Sequence, residues 1–189
     1  ISRLCAAERP LILAGGGVLK AGAADHLCRL SRVAEMPVAT SLSGRGTVAE
    51  TDSLGIGVIG TYSRQSANQL AHEADVVLVA GSSLGSMVTN FWRMPSSQSE
   101  VLQLDVDEAA LGRNLAPTVA TAGDLHGALA AMADLAETAH RNRPAWLARI
   151  DELTAGWLEQ RRSAIETDAT PIRPERLCAE LTRALPSDG

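Results

Sequence analysis

The chain lacks most features that mark membrane, nucleic-acid-binding or secreted proteins. Aromatic residues make up only 3% of its 189 residues, and the formal net charge is −5 with acidic and basic side chains interspersed. The sequence shows no cluster or stripe of basic residues that would bind nucleic acid. No apolar run approaches the roughly 20 residues that span a bilayer, and the polar first residues do not resemble a signal peptide. We therefore expect no nucleic-acid partner and no membrane insertion.

Cysteine and histidine are also scarce. The three cysteines are Cys5, Cys28 and Cys178. Their odd number and wide spacing indicate neither a disulfide framework nor a metal site, which suits the reducing cytoplasm. The four histidines are His26, His72, His126 and His140. They are isolated and fall mostly on predicted helix surfaces, so we assign none of them a catalytic role.

The most informative feature is the segment RPLILAGGG at positions 9–17. Its apolar run predicts a strand buried on both faces, followed by a glycine turn and a helix over 21–35. Read as a G-x-G-x-x-G fingerprint from Gly15, the turn has Lys20 in place of the third glycine. The turn is therefore either a structural crossover or part of a ligand site, since ligands bind at the carboxyl ends of such strands.

Strand signals recur along the first 140 residues. Further strands are predicted at 37–40, 54–60, 75–80, 100–105 and 118–121, with helices at 61–73 and 124–137. The last helix is expected to begin at an Asp124 cap. Its predicted apolar face consists of Leu125, Leu129, Met132 and Leu135. Alternation of strands and helices predicts an α/β, Rossmann-like, doubly wound domain over 1–140, with about six parallel strands and helices on both faces.

The remaining residues follow a different pattern. An amphipathic helix is predicted over 144–164, and a proline-containing linker follows it, so 141–173 form a connecting segment. The predicted apolar face of this helix is Trp146, Ile150, Leu153 and Trp157. A short helix beginning at Pro174 opens the segment 174–189. We expect this helix to pack on a following element, and the chain to be a fragment of a longer protein.

Five ordered segments carry a family resemblance. They are AERPLILAGGG (7–17), MPVATSLSGRG (36–46), LGIGVIGTY (54–62), ADVVLVAGSSLG (74–85) and VLQLDVDEAALGRNLAPTVATAGD (101–124). In this order they resemble the central domain of thiamine-diphosphate-dependent enzymes of the acetolactate synthase, pyruvate oxidase and benzoylformate decarboxylase type. The resemblance implies a domain of the DHS-like NAD/FAD-binding type.

The resemblance implies a parent enzyme, a lyase or transferase that uses thiamine diphosphate and Mg²⁺ on 2-keto acids. In such enzymes the catalytic glutamate and the metal ligands belong to two other domains, so no catalytic or metal-binding residue is assigned to this chain. The isolated chain is expected to be inactive. Its implied partners are those two domains, in a homodimer or tetramer.

In some members of the family the central domain holds FAD or an ADP moiety at the carboxyl ends of its strands. The matching positions are Gly15, Gly16, Gly17, Ser41, Leu42, Gly57, Gly60, Gly81, Ser83, Asp105, Val106, Gly123 and Asp124. Where this chain has Gly-Ser-Ser at 81–83, flavin-containing relatives typically have Gly-x-Arg. Where it has Val-Ile-Gly at 58–60, they commonly have Met-His-Gly. The resemblance therefore implies a weakened or absent flavin site.

Two alternatives stay open. One is a stand-alone Rossmann-like protein that binds NAD or another nucleotide. A sirtuin-type deacetylase, which is similar in architecture, is disfavoured because its usual four-cysteine zinc site needs C-x-x-C pairs and this chain has none. The other is a scaffold that keeps only packing and subunit contacts.

Overall fold

The computed structural model describes residues 1–139 and 141–186, so His140 and the predicted chain-end turn at 187–189 lie outside the described residues. Six parallel strands form one sheet in the order β3-β2-β1-β4-β5-β6. Their bounds are β1 Pro10–Ala14, β2 Val38–Thr40, β3 Gly55–Val58, β4 Val76–Ala80, β5 Glu100–Asp105 and β6 Val119–Ala122. This order is that of a doubly wound dinucleotide-binding fold. The predicted fold class is confirmed.

Seven helices accompany the sheet within the described residues. They are α1 Ser2–Ala6, α2 Gly16–Lys20, α3 Ala24–Val33, α4 Gln65–Glu73, α5 Leu125–Ala139, α6 Pro144–Ile165 and α7 Pro174–Ala184. Short 3₁₀ turns occupy Leu42–Gly44 and Glu108–Ala110. In a parallel sheet each strand needs a crossover to reach the next, and helices on the faces supply most of these crossovers.

The core has two layers, one on each face of the sheet. Alternate residues of β1 point in opposite directions, so Ile12 joins one cluster and Leu13 the other. Buried residues of α1, α3 and α5 fill the first cluster, and those of α4 and the start of α6 fill the second. The prediction of helices on both faces is therefore confirmed.

The helices differ from the sequence prediction in two places. The helix predicted over 21–35 is observed as the shorter α3, and the predicted glycine turn before it contains the additional helix α2, with Gly22 turning between the two at φ +62°. On α5, Leu135 is 55% exposed, whereas Ala133 and Ala136 are fully buried. Small alanines face the core here because α5 packs closely beside α3. The Asp124 cap is confirmed, since its carboxylate accepts from the backbone N–H of Gly127 at 2.8 Å.

The segment after α5 is most deeply buried at its start. Trp146 and Ile150 of α6 are buried against the sheet, as predicted. Trp157 is half-buried, with the Arg64 guanidinium 5.2 Å from its ring centre. Helix α7 lies against α6 and has no buried residue. Over the described ranges 1–139 and 141–186, no helix combines the length and apolar character needed to cross a membrane.

Candidate ligand cleft at the carboxyl edge of the sheet

A cleft of about 630 Å³ opens at the carboxyl ends of β1, β2 and β4. Strand order reverses between β1 and β4, and this switch point is where doubly wound folds bind ligands. Six predicted site residues line the cleft: Gly16, Gly17, Ser41, Leu42, Gly81 and Ser83. The structure thus brings together residues from three separate glycine- or serine-rich turns.

The other predicted positions do not line this cleft. They are Gly15, Gly57, Gly60, Asp105, Val106, Gly123 and Asp124. Gly60 donates its N–H to Asn68 Oδ1 at 2.8 Å. Asp105 is buried at the end of β5, where its Oδ1 accepts from the Asp107 N–H at 3.1 Å and its backbone carbonyl accepts from the Gly123 N–H at 3.0 Å. These groups are engaged in hydrogen bonds of local turns.

The three consecutive glycines bring two turns of the backbone into direct contact. The Gly15 N–H donates to Ala80 O at 2.8 Å, and the Gly17 N–H donates to Gly81 O at 3.0 Å. A Cβ added at Gly15 would lie 2.0 Å from Gly81 O. Because both amides already have backbone acceptors, they are not free to bind a diphosphate. Gly15 and Gly17 thus hold the two turns together, a role for which the absence of a side chain is needed.

The charge of the cleft is low. Among the described residues that line it, Lys20 is the one with a basic or acidic side chain. Ser83 keeps its backbone carbonyl bonded to Asn114 Nδ2 at 2.7 Å, and its hydroxyl side chain contributes no positive charge. A dinucleotide diphosphate is normally held by several amides or by basic side chains. The residues present therefore fit a flavin or ADP diphosphate poorly.

Sequence analysis missed Gln103, which organises the turns beside the cleft. This side chain is buried in β5; its Nε2 donates to Ser82 O at 3.1 Å and Ala110 O at 3.2 Å. Its Oε1 accepts from the Gly112 N–H at 2.9 Å. One amide thus ties the β4 turn to the loop after β5. The available signal was a lone polar residue inside an apolar strand, since a buried polar group needs partners.

Exposed apolar side chains surround the cleft. Tyr62 and Met87 line it and are exposed. Phe91 and Trp92, in the loop that follows β4, are also exposed but do not line it. Asn90, Phe91 and Trp92 all have positive φ, at +47°, +56° and +61°. This loop replaces the helix usual between β4 and β5. The arrangement offers hydroxyl groups and apolar surface to a ligand, with little charge.

The described residues also fail to assemble a metal site for a bound diphosphate. Within 1–139 and 141–186, no group of three or more His, Cys, Asp or Glu side chains could hold a metal ion. The resemblance implies that thiamine diphosphate and its Mg²⁺ are held by residues of two other domains, so no catalytic step is assigned to the described residues.

The sheet order defines a Rossmann-like, doubly wound domain with a cleft at its switch point. A family model described as "Thiamine pyrophosphate enzyme, central domain" matches residues 1–132. The chain therefore belongs to the family of thiamine pyrophosphate enzyme central domains. This confirms the resemblance carried by the five sequence segments.

Named relatives agree with this family. The chain is 32% identical over 179 residues to a probable acetolactate synthase large subunit of Methanocaldococcus jannaschii, covering 94% of the chain and 30% of the relative. It is 26% identical over 194 residues to the acetolactate synthase isozyme 3 large subunit of Escherichia coli K12, covering 100% and 33%. Glyoxylate carboligase of Escherichia coli O157:H7 is 25% identical over 192 residues, covering 100% and 32%. The chain thus spans about a third of the length of these relatives.

Proposed function

We propose that the chain is the central domain of a thiamine-diphosphate- and Mg²⁺-dependent enzyme that acts on 2-keto acids by decarboxylation or carboligation. The observation that carries the proposal is the family match over residues 1–132, on a domain with the matching fold. The names of the relatives, acetolactate synthase and glyoxylate carboligase, favour carboligation. In such an enzyme the cofactor supplies the electron sink.

The proposed role of this domain is architectural. The catalytic glutamate and the ligands of Mg²⁺ would come from the two other domains, and the isolated chain would be inactive. Three free cysteines are consistent with a reducing compartment such as the cytoplasm. Exposed apolar residues of the terminal helix, such as Leu177 and Leu181, would be covered in the full-length homodimer or tetramer.

A domain exchange tests this role. The segment of the M. jannaschii relative that aligns with residues 1–132 is replaced by this chain's segment, and acetolactate formation from pyruvate is measured. We expect the chimera to keep activity, because the catalytic groups lie in the retained domains. A matched chimera carries the corresponding segment of the E. coli K12 relative. The proposal fails if the control chimera is active and the chimera with this chain's segment is inactive, provided that both are folded and assemble to the same size.

We also propose that the cleft is the remnant of a nucleotide crevice and does not hold FAD tightly. Gly16, Gly17, Ser41, Leu42, Gly81 and Ser83 are its proposed contact residues. The other positions that the resemblance implies lie outside its lining and would act only by supporting neighbouring turns: Gly15, Gly57, Gly60, Asp105, Val106, Gly123 and Asp124. Support comes from the amides of Gly15 and Gly17, which already have backbone acceptors, and from the low charge around Ser83.

Calorimetric titration of the chain with FAD, ADP and NAD tests the crevice. We expect no saturable FAD binding at micromolar concentrations. The Ser83→Arg variant should gain at least about tenfold in FAD affinity, because a guanidinium supplies the absent charge for a diphosphate. Ser163→Arg, on the exposed side of α6, is the matched control. Tight FAD binding by the unmodified chain would contradict the proposal. NAD binding with turnover would instead favour the stand-alone nucleotide-binding protein, which the strand order alone also allows.

A further inference from the structure

We propose that His26 and His126 form a two-histidine site for a divalent transition-metal ion such as Zn²⁺ or Cu²⁺, bridging α3 and α5. Their Nε2 atoms lie 3.2 Å apart, and the two rings meet edge to face with centroids 4.4 Å apart. Imidazole nitrogen is a preferred ligand for these ions. The pair lies at the starts of α3 and α5, and neither histidine lines the cleft.

The separation of the two nitrogens matches metal coordination. Ligand nitrogens at about 2.1 Å from a tetrahedral Zn²⁺ lie roughly 3.4 Å from each other. This separation allows both Nε2 atoms to reach one ion placed between His26 and His126. The same distance also suits an N–H···N hydrogen bond. In the metal-bound form both Nε2 lone pairs point to the ion and the ring protons move to Nδ1.

The two helices hold the histidines in place. Leu27 next to His26 and Leu125 next to His126 are buried in the same core cluster. Farther along the helices, the Arg29 guanidinium bonds to Asp134 at 2.6 Å and to Glu137 at 2.5 Å. Both imidazoles are therefore carried by helices already fixed to each other, and a bound ion would order little additional chain.

Charge and coordination number define the kind of site. Both histidines lie in the first turns of their helices, whose positive ends disfavour a cation. The carboxylates of Asp25 and Asp124 at the same helix starts offset that charge. In the part of the chain that the structure describes, no third His, Cys, Asp or Glu joins the pair. Water or an external ligand would fill the remaining positions, so the ion is exchangeable.

Metal titration of the chain tests the site. Zn²⁺ and Cu²⁺ are titrated by calorimetry, and the Cu²⁺ complex is examined by electron paramagnetic resonance for two nitrogen ligands. A Cys178→Ser background removes an exposed thiol that also binds these ions. We expect one ion per chain, and a melting temperature that rises with added Zn²⁺.

Variants assign the ion to this pair. His26→Ala and His126→Ala should each weaken binding at least about tenfold, because each removes one of two protein ligands. His72→Ala, on the exposed surface of α4, is the matched control and should bind as the parent does. Circular dichroism checks that each variant is folded. Absence of saturable binding by the parent, or binding by His26→Ala and His126→Ala as tight as that of the parent, would overturn the proposal and leave the pair as a hydrogen bond alone.

Discussion

The sheet domain (1–139) and the helical arm (144–186) differ in how many of their apolar side chains are buried. The sheet domain buries strands on both faces, with Leu11, Ile12 and Leu13 of β1 at 0–1% exposure. The arm buries Trp146 and Ile150 at its start, whereas α7 buries nothing. Fully buried apolar side chains each contribute about 1.5–3 kcal/mol. From this difference in burial we expect the sheet domain and the first turns of α6 to unfold as one unit.

Arg143 joins the two regions. Its buried guanidinium donates to the backbone carbonyls of Cys5 at 2.8 Å and Ala7 at 2.9 Å, at the end of α1. It also donates to Ala34 O at 2.8 Å, at the end of α3. Burial lowers the pKa of this guanidinium, while the carbonyl ends of two helices favour its positive charge. One side chain thus completes two helix ends and fixes the start of α6.

The largest predicted effect concerns the anchored start of the arm. Trp146→Ala removes a buried ring whose Nε1 also donates to Pro10 O at 3.0 Å. We expect the free energy of unfolding to fall by about 3–5 kcal/mol, measured by urea denaturation. Leu158→Ala, at an exposed position of the same helix, should change it by less than about 0.5 kcal/mol. Equal losses would remove the distinction between the two ends of α6.

The next effect concerns the junction. Arg143→Ala leaves several buried carbonyls without donors, and we expect it to cost about 3 kcal/mol in the same denaturation experiment. Arg141→Ala is the matched control, because Arg141 is exposed and donates to Ala6 O. Its cost should stay below about 1 kcal/mol. A small effect at position 143 would show that the helix ends are satisfied without it.

A smaller effect lies within the sheet domain, at the glycine turn. Gly15→Ala places a methyl group against Gly81 O, and relief requires a backbone shift costing about 1–3 kcal/mol. Gly85→Ala is the control, since nothing lies within 4 Å of its added Cβ. Thermal unfolding of the two variants compares them. If Gly15→Ala were as stable as the parent, the close packing of the two turns would not be needed.

The smallest effect is pH-dependent and ties α6 to α4. Arg149 donates to both oxygens of Glu73, at 2.7 and 3.0 Å, and holds the pKa of that carboxyl below its usual range. Because the pKa of Glu73 is lower in the folded than in the unfolded state, its ionised carboxylate adds to the free energy of unfolding at pH values above the unfolded pKa of about 4.3. This contribution is lost as the pH falls through the folded pKa. Glu73→Gln should therefore reduce the stability difference between pH 7 and pH 3.

The control for this pH effect is Glu159→Gln, which removes a surface pair with Arg162 within α6. Its denaturation midpoints at the two pH values should follow those of the parent. A Glu73→Gln variant with the full pH dependence of the parent would mean that other carboxyls carry it.

The strands could be predicted from sequence more completely than the turns. The β5 strand Glu100–Asp105 has the predicted bounds, because strands buried in a parallel sheet are rich in apolar residues and can be recognised from their local composition. Helix α2 was missed because glycine is a poor helix former, and contacts of Gly17 with the distant Gly81 hold it. The exposure of Leu135 depends on how closely α5 approaches α3, which spacing alone does not encode.

The candidate cleft could be placed from sequence, but its chemistry could not. Carboxyl ends of parallel strands meet at one edge, so the glycine- and serine-rich turns were expected to converge. Which amides remain free depends on acceptors far along the chain, as Ala80 is for Gly15. The role of Gln103 likewise follows from three loops that meet only in the folded domain.

Hydrogen–deuterium exchange followed by mass spectrometry tests the comparison between the sheet domain and the arm most directly. We predict that peptides from β1, β4 and the first turns of α6 exchange slowly and together, at the rate of global unfolding. Peptides from α7 should exchange many-fold faster, because no side chain of that helix is buried. Protection of α7 equal to that of β1 and β4 would contradict the account.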